Sequence, residues 1–134
     1  ITVQEALVGV DNRTFNRPLA TVATAIWKHI KPGQNGTHYR QNYYMNSVKI
    51  DPASPAPTIP KIVSGTGGHM HWAEMRSLSM EEIRRLASFP DAYRQNGKFE
   101  EQYARIGNSV PPLFMRAIAR HVKSEILDKC LNRP

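Results

Sequence analysis

A chain of 134 residues with 40% hydrophobic content is long enough for one domain, which would bury roughly two-thirds of the surface its unfolded form exposes. Its apolar clusters fall far short of the about eighteen residues a membrane-spanning helix needs, and it does not open with a charged, then apolar, then small-residue leader. The net charge of +7 is concentrated between Asn12 and Lys61, where Arg13, Arg17, Lys28, Lys31, Arg40, Lys49 and Lys61 face Asp51 alone, leaving +1 for everything else. A basic segment rich in Asn, Gln, His and Tyr suits phosphate contacts with polar groups left over for base edges, although the solvated face of a basic protein has the same composition. The single cysteine, Cys130, cannot form an internal disulfide and lacks an activating neighbour, so a reducing, cytoplasmic setting is expected.

In chain order, Thr2 and Glu5 form a capping box that opens a short helix over Val3 to Val8, ended by Gly9. A second helix is predicted from about Pro18 to Lys31. Leu19, Val22, Ala23, Ile26, Trp27 and Ile30 recur at three- and four-residue steps, Pro18 suits the first turn, and Pro32-Gly33 stops it. From Gln34 to Trp72 the helical period disappears, and Tyr39, Tyr43, Tyr44, Val48 and Ile50 predict short irregular strands between long loops. The four prolines between Asp51 and Lys61 predict an extended lead-in to Thr58-Ile59-Pro60. Ser64-Gly65-Thr66-Gly67-Gly68 lacks the lysine of a phosphate loop and is read as a flexible loop. His69 and His71, two apart, share a strand face, but neither cysteine nor carboxylate lies at ligand spacing and no metal site is assigned.

The helix from Ser79 to Ser88 is the best specified. Ser79 and Glu82 form a capping box, Leu78 and Ile83 occupy the staple positions, Glu81 and Arg85 stand at i and i+4, and Pro90 stops it near Phe89. Residues 94 to 104 are polar and read as a connector, in which Glu100-Glu101 is a solvated pair. Gly107-Asn108-Ser109-Val110-Pro111-Pro112 then combines a residue free to take unusual backbone conformations, two cap-type residues and first-turn prolines. It opens a helix along which Phe114, Ile118, Val122 and Ile126 recur every four residues. By itself this describes either an ordinary capped amphipathic helix or a ligand-touching helix start.

Arg105 to Pro112, taken with Arg76-Ser77-Leu78-Ser79, Glu82, Arg85, Phe89-Pro90-Asp91 and Tyr93, resembles the last two motifs of the DNA cytosine-5 methyltransferases, in that family's order and at its spacing. The resemblance covers residues 56 to 127 and is looser before them, where Thr2 to Leu7 and Ile30 to Gly33 resemble the segments leading into the target recognition region. It implies an α+β C-terminal fragment of a larger α/β methyltransferase. Residues 1–31 would be a helical lead-in, 32–75 the DNA-recognition region, and 76–134 a scaffold helix with the cofactor-pocket motif and C-terminal helix.

The resemblance also implies roles. Thr58 and Ile59 match the Thr-Leu/Ile pair that approaches the extruded base, and Gly65 to Gly68, with Gly67 and Gly68 foremost, fall where the family has a DNA-facing glycine loop. Arg40, Lys49 and Lys61 are expected on phosphates or bases of double-stranded DNA. Gly107, Asn108, Ser109 and Val110 would complete a pocket for S-adenosylmethionine, while Arg76, Leu78, Glu82, Arg85, Phe89 and Pro90 would form the structural motif. The family's methyl-donor loop, its Pro-Cys nucleophile, its Glu-Asn-Val acid and its Gln-x-Arg-x-Arg segment do not occur in the 134 residues. The chain also opens on Ile1, as a piece cut from a longer protein or a processed subunit would. Three readings follow: a truncated piece inactive alone, the small subunit of a split enzyme, or a non-catalytic DNA-binding module. If a catalytic domain or large subunit is the missing partner, Leu113 to Ala119 should expose an apolar patch or cover it by self-association.

Overall fold

Short helices pack around one pair of very short parallel strands, and the C-terminal helices extend away from that core. The computed structural model describes residues 1–10, 17–63 and 68–131. Helix α1 (Val3–Ala6) carries the expected capping box, with Thr2 Oγ1 accepting from Glu5 N–H and the Glu5 carboxylate accepting from Thr2 N–H. Its next free donors, Val3 and Gln4 N–H, reach Ser54 O and Pro52 O at 2.9 and 3.0 Å, so the proline-rich stretch seats the helix. The helix stops before Val8 because the chain turns out through Gly9, at φ 77°.

Helix α2 (Thr21–His29) starts later than predicted. Pro18 bridges Arg76 instead of opening the first turn. Strands β1 (Val48–Lys49) and β2 (His69–Met70) pair in parallel, Val48 opposite His69 and Lys49 opposite Met70. Of the five residues expected to form strands Val48 alone lies in one; Gly36–His38 is a 3-10 turn instead, and Tyr39, Tyr43 and Tyr44 follow it outside any strand. The chain after β2 folds back on it: Leu78 N–H donates to His69 O and His71 N–H to Arg76 O, both at 3.0 Å.

Helix α3 (Met80–Leu86) has the predicted Ser79–Glu82 capping box, and both staple residues, Leu78 and Ile83, are 1% exposed in one core. The expected Glu81–Arg85 pair is not made. Glu81 holds Arg84 at 3.0 Å, leaving Arg85 to reach Asp91. Helix α4 (Phe99–Gly107) replaces the predicted polar connector. Phe99, Tyr103 and Ile106 form a one-sided stripe, with Tyr103 and Ile106 buried, while Glu100 and Glu101 lie on the wet face. Arg17 anchors this helix from outside, its guanidinium 4.0 Å from the Phe99 ring centroid and 2.6 Å from Glu100.

Helix α5 (Pro112–Val122) runs through a π turn (Lys123–Leu127) into α6 (Asp128–Leu131), and none of the three buries a residue. The core lies elsewhere. Val3, Ile50, Leu78, Ile83, Tyr103 and Ile106 belong to one cluster, and Ala23, Ile26, Ile30 and Met70 form another beneath α2. No helix of the described residues is long and apolar enough to cross a membrane.

Candidate nucleic-acid and cofactor sites

The structural motif is built on one buried ion pair. Arg76 Nη1 and Nη2 donate to the two Glu82 oxygens at 2.8 and 2.9 Å, and Glu82, 2% exposed, also accepts from Ser79 N–H at 2.7 Å. The Glu82 and Glu74 carboxylates hold the Arg76 guanidinium firmly charged, well above its ordinary pKa. The carboxylate that caps α3 therefore also fixes the segment entering it. Arg85 extends the scaffold, forking onto Asp91 at 2.8 and 2.7 Å while donating to Val8 O at 3.1 Å, which ties α1 to the end of α3. Phe89 packs on the main core and its ring lies 4.9 Å from that of Tyr93. Exposed Pro90 lines the cleft beside α3.

The cofactor motif has a different local structure from the one its residue types predict. Asn108 is the C-cap of α4, its N–H donating to Ala104 O at 3.0 Å, and Ser109 Oγ donates to Ile106 O at 2.6 Å, so neither residue caps α5. Gly107 does not have a left-handed backbone. Glycine is needed there for space, since an added Cβ would fall on Pro60 O, 2.6 Å from Pro60 C and 2.7 Å from Lys61 N. The N–H donors at the start of α5 are also few: Pro111 and Pro112 have none and Leu113 N–H is taken by Ser88 Oγ at 3.1 Å. What Asn108 and Ser109 can offer a carboxylate or ribose is thus an exposed side-chain amide and a hydroxyl with spare acceptor capacity, beside half-exposed Val110. That donor set fits one wall of a pocket for a methyl donor.

Gly107 brings this wall against the segment from Thr58 to Lys61. Thr58 and Lys61 are exposed, whereas Ile59 packs partly into the main core, which holds the segment by one side. Gly68 does not suit a DNA-facing role. It is buried, its carbonyl accepts from Val48 N–H at 2.8 Å, and its φ of 57° with a Cβ position 3.3 Å from Val63 explains the glycine by backbone and packing. Gly65, Thr66 and Gly67 lie outside the described residues, as does Arg13.

Lys49 is likewise removed from any DNA surface. It is 8% exposed, its Nζ donates to Trp27 O and Ile30 O at 3.2 and 3.3 Å, and it stands 3.6 Å from the Trp27 ring centroid. The ammonium neutralises the carbonyl end of α2, and burial lowers its pKa. Arg40, Lys61, Lys28 and Lys31 remain exposed. His69, in β2, and His71, just past its end, have separate tasks. His69 Nδ1 bonds Tyr103 Oη at 2.7 Å, and burial pushes the histidine down to about 4. His71 Nδ1 accepts from Ala73 and Glu74 N–H at 3.2 and 3.0 Å. Neither Tyr103 nor Ser88 is visible as a site residue in the sequence, because each acts on a partner more than twenty residues away.

Comparison with known proteins identifies the family. The family model for the C-5 cytosine-specific DNA methylases matches residues 7–124. M.MJ0563P of Methanocaldococcus jannaschii is 32% identical over 131 residues, 94% of this chain and 41% of that protein. The type II methyltransferase M.AquIB of Picosynechococcus is 29% identical over 112 residues, covering 75% of this chain and 79% of the relative. The DNA (cytosine-5-)-methyltransferase M.ApeKI of Aeropyrum pernix is 36% identical over 81 residues, 60% of this chain and 17% of the relative. The chain thus spans about two-fifths of the first of these relatives and a smaller share of the third. From the buried Arg76–Glu82 scaffold through the Gly107 motif, the chain belongs to the C-5 cytosine-specific DNA methylase family.

Proposed function

We propose that this chain is the C-terminal portion of a DNA cytosine-5 methyltransferase, which recognises target DNA and closes the S-adenosylmethionine pocket of a catalytic half carried elsewhere. The observation that carries this reading is the contact at Gly107, where the residues offered to the methyl donor and those offered to DNA share one packed backbone junction. S-adenosylmethionine supplies the methyl group when bound. This chain's part is to hold it through Asn108 and Ser109, and to set Thr58 and Lys61 toward the duplex. A cytosine must leave the base stack before its C5 can be reached, so recognition and the donor pocket need a fixed relative position.

The surface of α5 supports a missing partner. Leu113, Phe114, Met115, Ile118 and Val122 are 46, 60, 47, 41 and 37% exposed along one helix. Unpaired apolar surface of that kind marks an interface, here the one toward the catalytic half, with self-association as the alternative cover.

A split enzyme, in which this chain is the small subunit, is favoured by one specific comparison. The matched stretch covers 79% of M.AquIB, so a type II methyltransferase polypeptide exists at nearly this chain's size. Methyl transfer from labelled S-adenosylmethionine to DNA tests both forms. The chain alone should transfer nothing, and mixing it with a polypeptide carrying the Pro-Cys nucleophile and donor loop should restore transfer. Tight DNA binding with no transfer in any such mixture would identify a non-catalytic recognition module and overturn the proposal.

A further inference from the structure

The segment Gly36 to Ser47 leaves and re-enters the fold through one neck. Gly36 N–H donates to Ser47 O at 2.8 Å, and Asn35 and Val48 bridge beside it. A Cβ at Gly36 would stand 2.6 Å from Tyr44 O, so the neck closes only with glycine. A loop whose ends meet and whose own side chains pack together is an Ω-loop, a form that often carries function.

This loop holds two non-glycine residues in the left-handed region, Asn42 at φ 65° and Tyr44 at φ 58°. Asparagine tolerates that conformation. For a bulky tyrosine it is a strained outlier, and such residues persist only where the surroundings dictate them. The surroundings here are aromatic. Tyr44 lies 6.3 Å from Tyr39 by ring centroids, and Tyr39 meets His29 of α2 edge-on at 5.1 Å. Between the two left-handed residues, Tyr43 is turned outward, 52% exposed, with the Arg40 guanidinium 4.2 Å from its ring centroid. The amides of Gln41, Asn42 and Asn46 are exposed, and no hydrogen bond among the described residues holds their side chains to the protein. No carboxylate side chain occurs from Asn12 to Ile50, so nothing in that stretch of sequence repels a polyanion.

We infer that the Gly36–Ser47 loop is the base-reading element of the recognition region. Gln41 and Asn42 present the paired donor and acceptor that match the adenine N6/N7 edge, and Arg40, held over the Tyr43 ring, presents the fork that matches guanine O6 and N7. The closed neck and the packing of Tyr44 and Tyr39 against His29 hold the loop backbone in place before DNA arrives, which lowers the entropy lost on binding. The inference rests on the reading that the chain binds DNA.

Selection from a randomised duplex library by the whole chain at about 100 mM salt, followed by sequencing of the bound fraction, tests it. The wild-type chain should enrich a short motif. Gln41→Ala with Asn42→Gly, where glycine retains the left-handed backbone, should flatten the preference about tenfold at one or two positions, the discrimination a bidentate amide contact provides. Affinity for random duplex should stay within about twofold, because phosphate contacts dominate it. Gln41→Ala alone repeats the measurement if the double variant does not fold. An unchanged motif in the variants, or wild-type binding that enriches no motif, overturns the inference and leaves DNA binding standing. No binding of DNA by the wild-type chain overturns the functional proposal itself.

Discussion

Ser88 lies in the left-handed region at φ 63° and its Oγ accepts the Leu113 N–H at 3.1 Å, so the residue that ends α3 also caps α5. Phe89 N–H to Arg84 O and Ser88 N–H to Arg85 O, at 2.9 and 3.0 Å, complete a Schellman motif, whose left-handed position normally favours glycine. Serine is strained there, and the hydroxyl explains its presence. Ser88→Ala should keep the strain and lose the cap, lowering stability by about 1 kcal/mol in denaturant unfolding. Ser88→Gly loses the same cap but relieves the backbone, and should fall between wild type and the alanine variant. An alanine variant as stable as wild type would show that the cap contributes nothing.

Gly107 should resist the substitution that helix propensity recommends. In an ordinary helix Gly→Ala stabilises by about 1 kcal/mol, but here the added Cβ meets the backbone of Pro60 and Lys61, which cannot rotate away. Overpacking of that kind costs about 1–3 kcal/mol, so Gly107→Ala should melt lower than wild type. Its DNA affinity should also drop, since the displaced segment carries Thr58 and Lys61. A variant that melts higher would contradict the close approach.

His69 should make stability depend on pH. Its folded value is about 4 against an ordinary 6.5. The neutral form is the one the fold accommodates, so this contribution is fully present above pH 6.5 and is lost as pH falls from 6.5 toward 4. At 1.36 kcal/mol per unit, the loss approaches about 3 kcal/mol. His71, held below its ordinary value by burial, acts in the same direction. Urea unfolding midpoints measured across this window should fall steeply for wild type and much less for His69→Asn. Equal slopes for the two proteins would remove His69 as the cause.

Lys49 and Lys61 should separate stability from DNA binding. Replacing exposed Lys61 by alanine should leave the unfolding midpoint unchanged and reduce the log-log salt slope of DNA binding by about one unit. Lys49→Met should leave that slope alone. It removes the partner of Trp27 O and Ile30 O, and stability should fall by about 1–3 kcal/mol. Titrations at several salt concentrations read both effects, and a lowered slope for the Lys49 variant would return that residue to the DNA surface.

By itself the sequence determined what depends on neighbours a few residues away. Capping boxes at Thr2 and Ser79, the Leu78–Ile83 staple and the loss of helical period after Gln34 are all short-range, and the structure has them. The order and spacing of the Arg76 and Gly107 motifs likewise sufficed for the family. Tertiary structure decided what depends on a distant partner. The polar stretch before Gly107 became α4 because Tyr103 found His69 and Phe99 found Arg17, contacts no local period can reveal. Lys49 counted as a surface charge until the carbonyl end of α2 lay above it, and Gly107 stood for an unusual backbone conformation until the Pro60 backbone filled the space its side chain would need. Charge, length and propensity are properties of a residue and its near neighbours, but burial and close approach are properties of the packed whole.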